Sequence, residues 1–84
     1  MLVLARRDSG VPNDSTLRGR FGLTPREVDV ARALAAGQAT DAVARRLGLS
    51  IHTVRRHTER IYAKLGVRSR SALTAFLFGA SSHR

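Results

Sequence analysis

An all-α domain of four helices behind a flexible N-terminal segment is the fold that this 84-residue sequence predicts. Three observations predict it. From Val30 onward the apolar residues recur at helical rather than strand spacing. Gly37, Gly48 and Gly66 each stand where an apolar stripe runs out, the usual place for a glycine that ends a helix. Between residues 40 and 57, two helical patterns meet across the short turn Gly48-Leu49-Ser50, which is the arrangement of a helix-turn-helix. The offsets of Ala44, Gly48 and Val54 have a steric meaning there. A small residue lets two backbones approach, glycine supplies the positive-φ residue that stops the first helix, and valine fills the space between the pair.

The elements follow in order. Residues 1–22 hold Gly10, Pro12, Asn13, Asp14, Ser15, Gly19 and Gly22, with no apolar period after Ala5. Met1 to Ala5 reads as a short strand or frayed end, and Arg6 to Gly22 as a linker that would lead from something upstream. Thr24-Pro25-Arg26-Glu27 is a capping box with proline at the first helical position, and Val30, Ala31, Leu34 and Ala35 form the buried stripe of the first helix. The second helix is expected over Thr40 to Leu47, capped by Thr40 or Ala39, with Asp41 in its first turn and Val43, Ala44 and Leu47 inside. Ser50 caps the third, which runs to about Leu65 with Ile51, Val54, Thr58 or His57, Ile61 and Leu65 as its stripe. The fourth, Ser69 to Phe78, is apolar nearly all round, and a three-helix core this small cannot cover every face of it. The domain is therefore expected over residues 23–79, with a tail at 80–84.

Composition bounds the rest. A single small domain without cysteine has neither disulfides nor thiolate metal sites to hold it, so apolar helix packing must supply its stability. No apolar run approaches the ~18 residues of a membrane span and Met1 to Arg7 is no signal peptide, so a cytoplasmic protein without membrane partners is expected. Fifteen Lys and Arg against six Asp and Glu give a net charge of +9, which favours a polyanionic partner. All but one of those cations are arginine. Base composition accounts for that bias, but not for the net charge.

If the third helix lies in a DNA major groove, the exposed positions near its N-terminus would meet base edges. They are His52, Thr53, Arg55, Arg56 and Glu59. Arg55 and Arg56 are the residues suited to guanine O6 and N7. Glu59 either accepts from cytosine N4 or holds Arg55 or Arg56 in place as an i,i+4 or i,i+3 partner, and the orienting role is the preferred one. Thr40, Ser50 and Thr53 suit backbone phosphates, while Arg46, Arg60, Lys64, Arg68 and Arg70 are cations without base-reading geometry. His52 and His57 are five apart and do not share a face as a metal pair would, and no acid or cysteine partner accompanies them. His57 is expected to be a partly buried packing residue with a satisfied ring nitrogen. No catalytic set, metal site or cofactor site is expected.

With these motifs in view, residues 23 to 78 resemble the LuxR-type (GerE-type) DNA-binding domain. The resemblance rests on Leu23-Thr24-Pro25-Arg26-Glu27, then Val30, Leu34 and Gly37, then Val43-Ala44 and Leu47-Gly48-Leu49-Ser50, Thr53-Val54-Arg55 and His57, and finally Ile61, Lys64-Leu65-Gly66-Val67 and Arg70. It implies four helices, the third reading the major groove and the fourth serving dimerisation, in bacterial transcription regulators whose sensor lies upstream. It places Arg55, Arg56 and Glu59 at positions that touch bases, and Thr40, Ser50, Thr53 and Lys64 at positions that touch the backbone. The sequence departs from the family pattern at Ala39, Ala42, Thr58 and Tyr62.

The expected partner is thus double-stranded DNA, bound by base-reading His52, Arg55, Arg56 and Glu59 and by phosphate contacts from Thr40, Ser50, Thr53, Arg60 and Lys64. A homodimer, formed free or only on DNA, is expected through Leu73, Phe76 and Leu77. A different class of function, a module that docks RNA polymerase or a partner regulator, is motivated by the apolar surface expected at Leu73, Phe76, Leu77 and Phe78.

Overall fold

A computed structural model describes residues 12–78 of the chain. Five helices follow one another: α1 Asp14–Gly19, α2 Pro25–Ala35, α3 Thr40–Leu47, α4 Ile51–Leu65 and α5 Arg70–Phe78. No strand occurs among the described residues. The four predicted helices are all present, as α2 to α5, and α1 is additional. The strand or frayed end expected at Met1 to Ala5 and the tail at 80–84 lie outside the described residues.

Helix α1 corrects the expected linker. Asn13 accepts the Thr16 amide at 2.8 Å and so starts the helix, while Leu17 is wholly buried. Arg32 of α2 holds the segment from the other side, donating to the Asp14 carboxylate at 2.8 Å and to the Pro12 carbonyl at 3.0 Å. One leucine and two tethers suffice to dock a helix of six residues.

Helix α2 is the centre of the molecule, with α4 and α5 packed on it and α3 packed chiefly on α4. Its capping box forms as predicted: Thr24 Oγ1 accepts the Glu27 amide at 3.1 Å and Glu27 Oε1 accepts the Thr24 amide at 2.9 Å. A side-chain cap of this kind contributes about 1 kcal/mol. Val30, Ala31, Leu34 and Ala35 are buried, as the stripe requires. Helix α3 starts from Ala39, which offers no side-chain cap, with Thr40 as the first helical residue.

The ends of the stripes depart from expectation. Ile51 is 42% exposed, because the first residue of α4 overhangs the core that begins at Val54. The larger correction concerns α5. Leu73 and Leu77 are wholly buried within the chain, and Phe76 is half-buried with its ring edge-on to Phe21, centroids 5.2 Å apart. Leu73 and Leu77 therefore do not form an open dimer surface, while Phe76 is covered only in part. The physical reason is that α5 packs along α2, which turns its Leu73–Leu77 side into the common core.

Candidate nucleic-acid interface

The site is built from the turn upward. Helix α3 ends at Gly48, whose φ of 71° lets the chain reverse, and the Leu49 amide returns to the Ala44 carbonyl at 2.8 Å. Ala44 and Val54 are buried where α3 meets α4. Ser50 then starts α4: its Oγ accepts the Thr53 amide at 3.0 Å and donates to Thr53 Oγ1 at 2.9 Å. That pairing commits one first-turn amide to the cap and leaves the amides of Ile51 and His52 facing outward.

Two opposite stripes run along α4. Val54, Ile61 and Leu65 are buried. His52, Arg55, Arg56, Glu59 and Arg60 are all exposed and recur at i, i+3, i+4, i+7 and i+8, which places them on one face. Among the described residues, none of these five side chains makes a hydrogen bond or ion pair within the chain. Elsewhere several cations are engaged, although Arg18, Arg46 and Arg68 also have no acidic partner within 4.0 Å among the described residues. Arg26 pairs with Asp29 at 3.7 Å, Arg32 with Asp14 and Arg45 with Asp41 at 3.2 Å. The face of α4 thus concentrates unpaired guanidinium groups on a rigid support.

Several expected site residues stand differently. Glu59 does not orient Arg55 or Arg56, since no cation lies within 4.0 Å of it among the described residues; this corrects the preferred reading. Lys64 reaches back to the body of the domain, donating to Glu27 Oε1 at 2.7 Å and to the Gly22 carbonyl at 2.9 Å, which engages two of its three ammonium donors. Arg70 is also structural. Its Nε and Nη2 both donate to the Leu34 carbonyl at 3.1 Å, and Nη2 reaches the Gln38 carbonyl as well, which closes the open end of α2. His57 is half-buried as expected, and its Nδ1 is enclosed without a hydrogen-bond partner among the described residues.

The remaining phosphate candidates keep their accessibility. Ser50 and Arg60 are exposed, and Thr40 and Thr53 are half-buried. Thr40 lines an open cleft with Arg55 and Glu59, so the start of α3 and the exposed face of α4 share one surface. Among the described residues no group of three or more His, Cys, Asp or Glu gathers in a way that could hold a metal ion.

A basic helix carried by a helix-turn-helix defines a DNA-binding class of regulator domain, and the comparisons agree. Residues 22–77 match the family described as bacterial regulatory proteins, luxR family, and the chain belongs to that family. It is similar to the transcriptional regulatory protein TdiR of Thauera aromatica, 38% identical over 61 residues, which are 73% of this chain and 27% of that protein. It is also similar to a Mycobacterium tuberculosis protein named as an HTH-type transcriptional regulator, 45% identical over 56 residues, which are 67% of this chain and 6% of that one. A third similar protein bears the name transcriptional regulatory protein NarL, from the same organism, 42% identical over 53 residues, 63% of this chain and 24% of that one. The chain therefore spans about a quarter or less of the length of these curated relatives. No solved structure matches the chain.

Proposed function

We propose that this chain binds double-stranded DNA sequence-specifically as the DNA-binding part of a transcription regulator, with the N-terminal half of α4 in the major groove. The observation that carries the reading is the row His52, Arg55, Arg56 and Arg60, exposed on one face of a braced helix with no intramolecular acceptor among the described residues. Free guanidinium groups in that position can pair with guanine edges, and the net charge of +9 supplies attraction to any duplex. Thr40, Ser50, Thr53 and Arg60 flank the face and suit phosphates. The role is one of binding, not catalysis, and it belongs in the cytoplasm. No helix among the described residues is long and apolar enough to cross a membrane.

Selection from a random duplex library tests the reading. An enriched sequence is expected, and Arg55→Ala should relax preference at one base position, where a wrong base costs about 1–3 kcal/mol. Arg60→Ala should weaken all sequences alike and lower the salt slope by about one. Uniform, steeply salt-dependent binding of a mixed pool with no enriched sequence would refute sequence specificity.

Pairing of two copies on a symmetric duplex is the finer part of the proposal. With Leu73 and Leu77 inside the chain, it must use the uncovered side of α5, where Ser71, Thr74, Ala75 and Phe78 recur at helical spacing and Phe78 is 50% exposed. Sedimentation with and without a symmetric duplex tests it, and a single copy per duplex would exclude it. Docking of polymerase or a partner regulator loses most of the apolar surface that motivated it.

A further inference from the structure

Among the described residues, Glu59 is the acidic side chain that the fold leaves without a cationic partner. Of the acids in the described residues, Asp14, Glu27, Asp29 and Asp41 each have a cationic partner within 4.0 Å. Glu59 has none, although Arg55, Arg56 and Arg60 occupy the same face of α4. It is exposed and lines the cleft shared with Arg55 and Thr40. A carboxylate on the face that approaches a polyanion opposes binding unless the duplex offers it a donor. In the major groove the donors are the amino groups of cytosine N4 and adenine N6. Adenine sets its amino group beside the N7 acceptor, which repels a carboxylate. Cytosine offers N4 with no acceptor on its own groove edge.

We propose that Glu59 is a specificity-determining residue that requires cytosine at one position of the bound half-site. The inference rests on α4 being the groove helix and deepens that reading. Glu59 lies four residues beyond Arg55, about 6 Å along the helix, and successive base pairs rise ~3.4 Å. The selected cytosine therefore falls about two base pairs from the guanine that Arg55 reads. The unpaired state of all four side chains leaves each of them free to meet a base without first breaking an internal contact.

The test is selection from a random duplex library with the 84-residue chain and its Glu59→Ala, Glu59→Gln and Arg55→Ala variants, with helicity checked by circular dichroism. The wild type is expected to enrich cytosine at one position about two base pairs from the guanine whose enrichment Arg55→Ala removes. Glu59→Ala should leave that position degenerate and the others intact. Glu59→Gln should move it to adenine, because a carboxamide matches N6 and N7 together. Exchange of that cytosine for thymine should weaken the wild type about 5- to 150-fold, and Glu59→Ala about twofold or less. Cytosine persisting in Glu59→Ala, or a base other than cytosine at the position Glu59 controls, overturns this inference alone. No enriched sequence with the wild type overturns the DNA-reading function itself.

Discussion

Lys64 Nζ lies 2.7 Å from Oε1 of Glu27, joining the last turn of α4 to the first turn of α2 across 37 positions of the chain. Glu27 is only 2% exposed, and the same oxygen accepts the Thr24 amide. The pair therefore pins the proposed recognition helix to the body of the domain at the point where α2 begins.

Removing the lysine strands a buried carboxylate. Lys64→Ala is expected to cost about 2–3 kcal/mol, less than for a fully buried pair because the lysine side chain is a third exposed. Urea unfolding measures the loss. Under conditions where the variant is folded, the salt dependence of DNA binding should match that of the wild type, because the ammonium already serves Glu27 and the Gly22 carbonyl. A flatter salt slope would place Lys64 on phosphate instead.

The same pair sets an acid limit. Burial by itself raises the Glu27 carboxyl, but the Lys64 hydrogen bond, the Thr24 amide and the charges of Lys64 and His57 outweigh it and hold it below its ordinary value of 4.5. A carboxyl that is more acidic folded than unfolded stabilises the fold fully above the unfolded value, and that stability drains away as pH falls through the lower folded one. Stability is thus expected to fall below about pH 4.5, with a shallower fall in Glu27→Gln. Equal slopes for the two proteins in urea titrations at stepped acid pH would remove Glu27 from the acid response.

Helix α1 should behave as part of the core. Leu17 is wholly buried, so Leu17→Ala is expected to cost about 2–5 kcal/mol in chemical unfolding. Arg32→Ala, which frees Asp14 and the Pro12 carbonyl, should cost less because that pair is partly exposed. A Leu17→Ala protein as stable as the wild type would return residues 12–22 to the status of a linker.

What the sequence disclosed, and what it hid, follows the range of each interaction. The capping box at Thr24 and Glu27, the Gly48 stop and the Ser50 cap each act within about a turn, so residue type and spacing reveal them. The exposed face of α4 was legible for the same reason. Helix α1 was missed because one leucine gives no period, although Asn13 ahead of Asp14, Ser15 and Thr16 is a start signal that could have pointed to it. Leu73 and Leu77 were misplaced because a helix apolar on all sides does not say which side faces inward. The contacts made by Lys64 and Arg70 depend on partners more than 30 positions away, which spacing along one helix does not encode.

The bend between α3 and α4 yields a prediction whose sign changes with position. At Gly48 an added Cβ would meet nothing within 4 Å, so a substitution there is opposed by the backbone alone, at φ 71°. Gly48→Ala is therefore expected to destabilise by about 1–2 kcal/mol. Gly48→Asn should cost less, since asparagine tolerates the left-handed region. Gly19, in the last position of α1, also has open space around it but no positive φ. There Gly19→Ala should stabilise by about 0.5–1 kcal/mol, through a stiffer unfolded chain and better helix propensity. Urea midpoints of the three variants decide the matter. Gly48→Ala at or above wild-type stability would mean that the turn does not need the left-handed residue, and the α3–α4 crossing that aims Arg55 and Arg56 would then need another cause.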